Sequence, residues 1–276
     1  MRIIIQDSKG PSPYTTTDRI FLGEGLFETI KIVNGKPCYP EYHWQRLQKA
    51  AIFLKITFDL SLDVWLKKLG SCIASKQLRD GVLKAVLSAG SAPRGLLERG
   101  TQPHLVLTAF DYVHHDRQPL ALVSASWVRD AKNPIYQYKS INYLEAIIAR
   151  RQAQAAGADD VLFFNLEGQI TETTVANLFI IKNNGLMTPP LHSGVLAGII
   201  RQRLLTLCKA HDIDCAEHEL YKDNLNEAEA AFTCNVVQGI RAIQSIDTHF
   251  FTSEHPLFEH VQTLLANDYQ NPSLPE

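Results

Sequence analysis

Three glycine turns set between runs of β-branched and aromatic side chains constrain this chain more than any other feature. Leu26–Val33 (LFETIKIV) leads into Asn34-Gly35 and then Lys36–Tyr39. Asn-Gly is the favoured two-residue hairpin connection, since both residues must take positive φ, so the run predicts two antiparallel strands. Glu167-Gly168 turns the chain between Asp160–Asn165 and the strand-like pieces Gln169–Glu172 and Ala176–Ile181, and Asn184-Gly185 makes a further turn. Helical periodicity breaks up these strands. Pro40 and Glu41 suit a first turn, after which Trp44, Leu47, Ala51 and Leu54 recur at spacings of three and four. Further helices are predicted near 62–76, over Leu144–Ala156 with Gly157 closing it, and over Ala197–Leu207 after the Thr188-Pro189-Pro190 break. Val82–Ser88, His104–Phe110 and Leu120–Trp127 complete the predicted strands. There is no internal repeat and no uninterrupted parallel βαβ series. The pattern therefore points to the α+β class, as two α/β-type domains with largely antiparallel or mixed sheets.

With 276 residues and 45% hydrophobic content, the chain can bury a sizeable core and suits two domains better than one. Asp111–Pro119 is polar and ends in proline. The expected division is a smaller N-terminal domain over 1–112, a linker over 113–119, and a larger C-terminal domain over 120–276 that carries Lys139. His114-His115-Asp116 reads as solvated linker because no further ligand pattern accompanies it, and no metal is expected. Lys+Arg 27 against Asp+Glu 29 leaves a net charge of −2, so no global field draws the chain to nucleic acid or to an anionic membrane. Cys38, Cys72, Cys208, Cys215 and Cys234 form no C-x-x-C pair, and their odd number suits a reducing compartment. The three isoleucines after Met1-Arg2 are too few for a signal-peptide core, and no apolar run reaches membrane-spanning length. A soluble cytoplasmic protein is expected. Gly23-x-Gly25 lacks the third glycine and the parallel unit of a dinucleotide site.

Two residues carry the chemistry. Lys139 opens Lys-Ser-Ile-Asn-Tyr-Leu-Glu, and Glu172 lies in Gly168–Phe179 (GQITETTVANLF). An amine placed to form a Schiff base and a carboxylate placed to keep a ring nitrogen protonated are what pyridoxal 5′-phosphate requires. With these motifs the chain resembles the fold-type IV pyridoxal-phosphate enzymes, which include branched-chain and D-amino acid aminotransferases and aminodeoxychorismate lyases. The resemblance runs from about Asp18 to about Ile246.

The resemblance implies roles residue by residue. Lys139 is the cofactor lysine, and Tyr143 matches a residue that hydrogen-bonds the cofactor's 3′-oxygen in branched-chain aminotransferases. Glu172, Asn177, Leu178 and Phe179 reproduce Glu-x-x-x-x-Asn-Leu-Phe, with the glutamate at the ring nitrogen and the asparagine structural. His43-Trp44-Gln45-Arg46-Leu47 is similar to His-x-x-Arg-Leu, whose arginine grips the phosphate. Leu196–Arg201 (LAGIIR) is similar to the Gly-Ile-x-Arg helix start, where Gly198 lets the backbone approach and the N–H groups of Ile199 and Ile200 complete the cradle. Asn235 and Val236 fall in the family's further cofactor-binding loop, where valine offers only its backbone N–H.

Within the family three segments resemble the lyases: Gly81–Gly95, the loop Thr233–Arg241, and Thr29, which stands where lyases use a catalytic threonine. Ala89 replaces a usual arginine, and Phe27-Glu28-Thr29 is shared with aminotransferase relatives. The implied reaction is conversion of 4-amino-4-deoxychorismate to 4-aminobenzoate and pyruvate, a folate-biosynthesis step on a small-molecule amino substrate, in a homodimer. Arg94 and Arg241 are the candidates for a substrate carboxylate. A D-amino acid or branched-chain aminotransferase is the alternative, and a non-catalytic binding protein on the same fold is a second.

Overall fold

The computed structural model describes residues 1–7, 10–112 and 118–269. The His114-His115-Asp116 run and most of the expected linker lie outside the described residues. The chain divides into two compact units, Met1–Val113 with Tyr138–Asn142 and Tyr269–Glu276, and His114–Gln137 with Tyr143–Asp268.

The first unit holds β1 (Arg2–Ile5), β2 (Gly25–Val33), β3 (Lys36–Pro37), α1 (Pro40–Leu54), α2 (Leu62–Ser75), β4 (Gly81–Ser88) and β5 (His104–Phe110). Its strands lie in the order β1-β5-β4-β2-β3, antiparallel except for β1 with β5. Asn34 and Gly35 take φ of 51° and 76°, the positive pair that the hairpin demands, and Val33 pairs with Lys36 across it. Period-two alternation turns Leu26, Ile30 and Ile32 of β2 into the core, against Leu47, Ala50 and Ala51 of α1 and Trp65 and Leu69 of α2. Each such aliphatic side chain stabilises the unit by roughly 1.5–3 kcal/mol.

Since β3 is only two residues long, the start of β2 is left open on that side, and a later segment fills the gap. Phe27 N donates to Lys139 O at 3.0 Å, Ile141 N donates to Gly25 O at 3.1 Å, and Leu26 bridges Ser140. Lys139 thus belongs to the first unit, not to an uninterrupted C-terminal domain starting at 120. Backbone pairing to β2, rather than position in the chain, decides this.

The second unit adds β6 (Leu120–Ser124), α3 (Leu144–Ala155), β7 (Asp160–Phe164), β8 (Ile170–Thr173), β9 (Asn177–Lys182), β10 (Gly185–Thr188), α4 (Ile199–Ala210), β11 (Cys215–Glu217), α5 (Lys222–Asn226), β12 (Ala230–Asn235), β13 (Gly239–Ile246), β14 (His249–Phe250) and α6 (Pro256–Asp268). Its sheet is mixed, with parallel pairs at β10–β11, β13–β6 and β6–β7. Strands β9-β12-β13-β6-β7-β8 follow one another, and β8 pairs back to β9 through Glu172 and Asn177, closing them into a barrel. Phe179 and Phe232 stack in its wall with ring centroids 5.2 Å apart, while Ala149 and Ala153 of α3 pack on Val161 and Phe163 of β7.

The strand expected to reach Trp127 ends at Ser124, where the Asp247 carboxylate takes both Ser124 N and Oγ at 2.7 Å and leads the chain out of the sheet. No helix among the described residues is long and apolar enough to cross a membrane, and no His/Cys/Asp/Glu group among them could hold a metal ion.

Candidate active site

In the first unit, edge pairing to β2 puts the Lys139 ammonium 4.3 Å from the Phe27 ring centroid, a cation–π contact. Thr29 shares that face of β2 by alternation and sits directly opposite Lys84 of β4, whose own ammonium is 5.1 Å from the same ring. Asn142 completes the return by donating Nδ2 to Gly23 O at 3.1 Å. Gly23, at φ 82°, closes the single 3-10 turn of Arg19–Leu22, and a Cβ there would stand 2.2 Å from Asn142 Oδ1. Its role is to admit the segment that carries Lys139.

The opposite face of β2 carries a charge that the sequence reading passed over. Glu28 is 1% exposed and flanked on its face by Leu26 and Ile30. From α1, Arg46 Nε donates to Glu28 Oε1 at 2.8 Å and Nη2 to Oε2 at 2.6 Å, while His43 Nδ1 lies 2.5 Å from Oε2. Burial pushes the Glu28 carboxyl up, but the Arg46 guanidinium and then His43 outweigh it and hold the group at about 2. Burial pushes the fully enclosed His43 down, against the pull of Glu28, so its imidazole is neutral. An ionised carboxylate only accepts, so His43 Nδ1 carries the proton and donates it. The predicted phosphate ligand Arg46 thus has its Nε–Nη2 edge committed to Glu28. Arg94 lies exposed in the loop after β4.

In the second unit, Glu172 of β8 is fixed by donors. Its Oε2 accepts from Leu196 N at 3.0 Å and Asn177 Nδ2 at 3.2 Å, and its Oε1 is 3.5 Å from Arg129 Nη1. Arg129, missed by the sequence reading, also pairs with Glu145 at 2.9 Å and lies 3.5 Å over the Phe163 ring centroid. Such a donor set fixes where the carboxylate points. Asn177 gives the same Nδ2 to Leu196 O at 2.9 Å, tying Glu172 to the segment that opens α4.

That segment leads into the start of α4. Gly198, extended at φ −70° and ψ 136°, caps α4 without a side-chain hydrogen bond. The first N–H groups of a helix have no partner within it and sit at the positive end of its dipole. A Cβ at Gly198 would stand 1.9 Å from Asn177 Oδ1, so only glycine fits beside the residue that holds Glu172. Ile199 and Ile200 bury their side chains at 2% and 1% exposure. Arg201 turns away from the helix start, giving Nη2 to Pro189 O at 2.8 Å and to Glu217.

Tyr143 is half-buried at the cap of α3. Asn235 folds the β12–β13 turn, taking Gln238 N at 2.8 Å on Oδ1 and giving Nδ2 to Gln238 Oε1 at 3.1 Å, and Val236 in that turn is buried. Arg241 donates Nε to Gln118 O at 2.8 Å. For Asn235 a local turn and for Arg241 a bond to a residue far back in the chain are roles that motif spacing did not signal.

Residues 25–246 match the model of the amino-transferase class IV family. A protein of Legionella pneumophila provisionally assigned as a 4-amino-4-deoxychorismate lyase has a solved structure similar to this one. The two are 46% identical, with a TM-score of 0.93 over 97% of this chain and 98% of that one. The 4-amino-4-deoxychorismate lyase of Pseudomonas aeruginosa superposes with a TM-score of 0.83 over 94% of this chain and 96% of that one, at 24% identity. A D-alanine aminotransferase of Bacillus licheniformis is 29% identical over 248 residues, which are 89% of this chain and 87% of that protein. The chain belongs to the amino-transferase class IV family, the fold-type IV pyridoxal-phosphate enzymes.

Proposed function

We propose that this protein is a 4-amino-4-deoxychorismate lyase, releasing 4-aminobenzoate and pyruvate for folate synthesis. The observation that carries the choice is the 46% identity, over 97% of the chain, to the Legionella protein so assigned. The face of β2 supports it. Thr29 lies opposite Lys84 on the face of β2 where the Lys139 and Lys84 side chains flank Phe27, which puts the threonine hydroxyl on the same face as the amine that would carry the proton.

The cofactor of this enzyme is pyridoxal 5′-phosphate. The residues present fit it: a donor-fixed carboxylate for the ring nitrogen, and a helix start without a side-chain cap and with room only for glycine. Bound there, the cofactor supplies an electron sink that stabilises negative charge on the carbon bearing the substrate amine. In this reading Lys139 would hold the cofactor covalently, and its Nζ would take the proton from that carbon. Glu172 keeps the ring nitrogen protonated throughout. The C–O bond to the enolpyruvyl group breaks, that group leaves and is protonated to pyruvate, and the ring becomes aromatic, so atoms balance without water or an oxidant. Thr29 assists the proton movement. Arg46, Ile199 and Ile200, with the Asn235–Val236 turn, would hold the phosphate, and Tyr143 would meet the 3′-oxygen. Arg94 and Arg241 remain the carboxylate candidates. The 29% identity to a D-alanine aminotransferase supports the second reading, transamination with the same Lys139 and Glu172.

The test is pyruvate release from 4-amino-4-deoxychorismate without a keto-acid acceptor, run beside transamination assays with D-alanine and leucine. Lys139→Ala should abolish release in a folded protein. Thr29→Ala should lower turnover more than substrate binding. Keto-acid-dependent turnover with no pyruvate from the chorismate derivative would move the protein to the aminotransferase branch.

A homodimer is part of the same proposal. Leu144, Ile147 and Ile148 are 69%, 45% and 42% exposed and lie on one face of α3, an apolar stripe suited to a second copy. The described cysteines Cys38, Cys72, Cys208, Cys215 and Cys234 are all free, which supports a cytoplasmic location.

A further inference from the structure

Glu28 poses a question that the cofactor motifs leave unanswered. It lies in the middle of β2 on the face that carries Leu26, Ile30 and Ile32, where the pattern calls for an aliphatic side chain. A buried ion pair is commonly no more stable than apolar residues of the same volume, so stability alone gives little reason for one here. Both carboxylate oxygens are used: Oε1 by Arg46 Nε at 2.8 Å, and Oε2 by Arg46 Nη2 at 2.6 Å and His43 Nδ1 at 2.5 Å. His43 and Arg46 stand three residues apart on α1, so one helix face delivers both donors to one strand residue. His43 Nε2 is buried without a hydrogen-bond partner, which is what remains when the ring is oriented for its Nδ1 contact alone. The guanidinium is therefore held edge-on in a fixed plane by two parallel hydrogen bonds, the geometry that distinguishes arginine from lysine.

We propose that Glu28, buttressed by His43, is a positioning residue that fixes the Arg46 guanidinium for the cofactor phosphate. The inference rests on the reading of Arg46 as a phosphate ligand. Two physical effects of Glu28 oppose each other. As a charge it repels a phosphate dianion and partly cancels Arg46; as a clamp it removes the rotamer freedom that Arg46 would otherwise lose on binding. Orientation dominates, because the carboxylate is anchored in the core and its two parallel hydrogen bonds fix the plane of the guanidinium.

The two effects predict opposite outcomes for E28Q, which keeps the size but removes the charge and one acceptor. Binding constants of the full-length chain, freed of cofactor by dialysis, are measured for pyridoxal 5′-phosphate and for pyridoxal, which lacks the phosphate. E28Q should weaken the phosphorylated ligand about tenfold or more, the usual weight of a hydrogen bond to a charged group, and leave pyridoxal unchanged. E28D keeps the charge but draws it back by one methylene, and should weaken the phosphorylated ligand too. In an R46K background, where no bidentate clamp can form, E28Q should no longer weaken the phosphorylated ligand, since only the loss of the repelling charge remains, and pyridoxal should again be unchanged.

Tighter or unchanged binding of pyridoxal 5′-phosphate by E28Q and E28D, with R46A still weakened, would overturn the positioning role and leave Arg46 as the ligand. If R46A itself binds both compounds as the wild type does, the phosphate reading of Arg46 fails and the inference with it. Should E28Q not fold, E28D and His43→Gln decide the matter, since each disturbs the clamp without uncovering a charge. Unchanged discrimination in both would refute the proposal.

Discussion

Replacing Gly198 by alanine tests whether Asn177 links Glu172 to the start of α4. Gly198 sits at φ −70° and ψ 136°, a conformation open to any residue, so backbone entropy alone would favour alanine by roughly 0.4–1 kcal/mol. The added Cβ would stand 1.9 Å from Asn177 Oδ1 and 3.1 Å from its Cγ, so the amide must move. Asn177 is 6% exposed and spends Nδ2 on Glu172 Oε2 at 3.2 Å and Leu196 O at 2.9 Å. A hydrogen bond to an ionised partner is worth about 1.5–3 kcal/mol and a neutral one about 1 kcal/mol. Subtracting the entropic gain leaves a net destabilisation of about 2–3 kcal/mol. Urea unfolding followed by circular dichroism, at unchanged m-value, measures it. Asn177→Ala removes the collision, so in that background Gly198→Ala should be neutral or slightly stabilising. A neutral Gly198→Ala in the wild type, or an equal loss in both backgrounds, would refute the link.

Acid should unfold the first unit through the same buried network that orients Arg46. The Glu28 carboxyl, ordinarily at 4.5, is held at about 2, so its contribution of roughly 3 kcal/mol is complete above pH 4.5 and is lost as pH falls towards 2. Because His43 is held below its ordinary 6.5, protonation favours the unfolded chain from that pH downwards, and stability should start to fall there. Chemical denaturation against pH checks both, and in Glu28→Gln the fall below pH 4.5 should shrink. Ile147→Glu puts a charge on the exposed apolar stripe of α3 and should convert a dimer to monomers in sedimentation equilibrium. A wild-type monomer would dispose of that interface.

Local chemistry made much of the molecule legible. Asn34-Gly35 takes the positive φ pair that the hairpin needs, and the period of three and four after Pro40 is the face of α1 that packs on β2. Leu144–Ala156 holds the predicted helix, and Gly198 stands at the predicted start of α4. These are properties of a residue and its near neighbours, which is why spacing alone could reveal them.

The remainder depended on residues brought together from far apart. The motif around Lys139 was visible in the sequence, yet the place of Lys139 in the first unit comes from backbone pairing to Gly25 and Phe27, more than a hundred residues earlier, where a two-residue β3 leaves an open edge. The motif Glu172-x-x-x-x-Asn177 was visible as a string, but only the closed barrel shows the two residues pairing across β8 and β9 and sharing Leu196. Glu28 is the clearest instance. Its alternation with Leu26 and Ile30 assigns it to the core face, but a lone carboxylate there looks like a break in the pattern until α1 supplies Arg46 and His43. A sequence fixes periodicity and turn chemistry through covalent neighbours. Which buried charge meets which partner is settled when packing removes water and leaves each ion only the groups that the fold has set beside it.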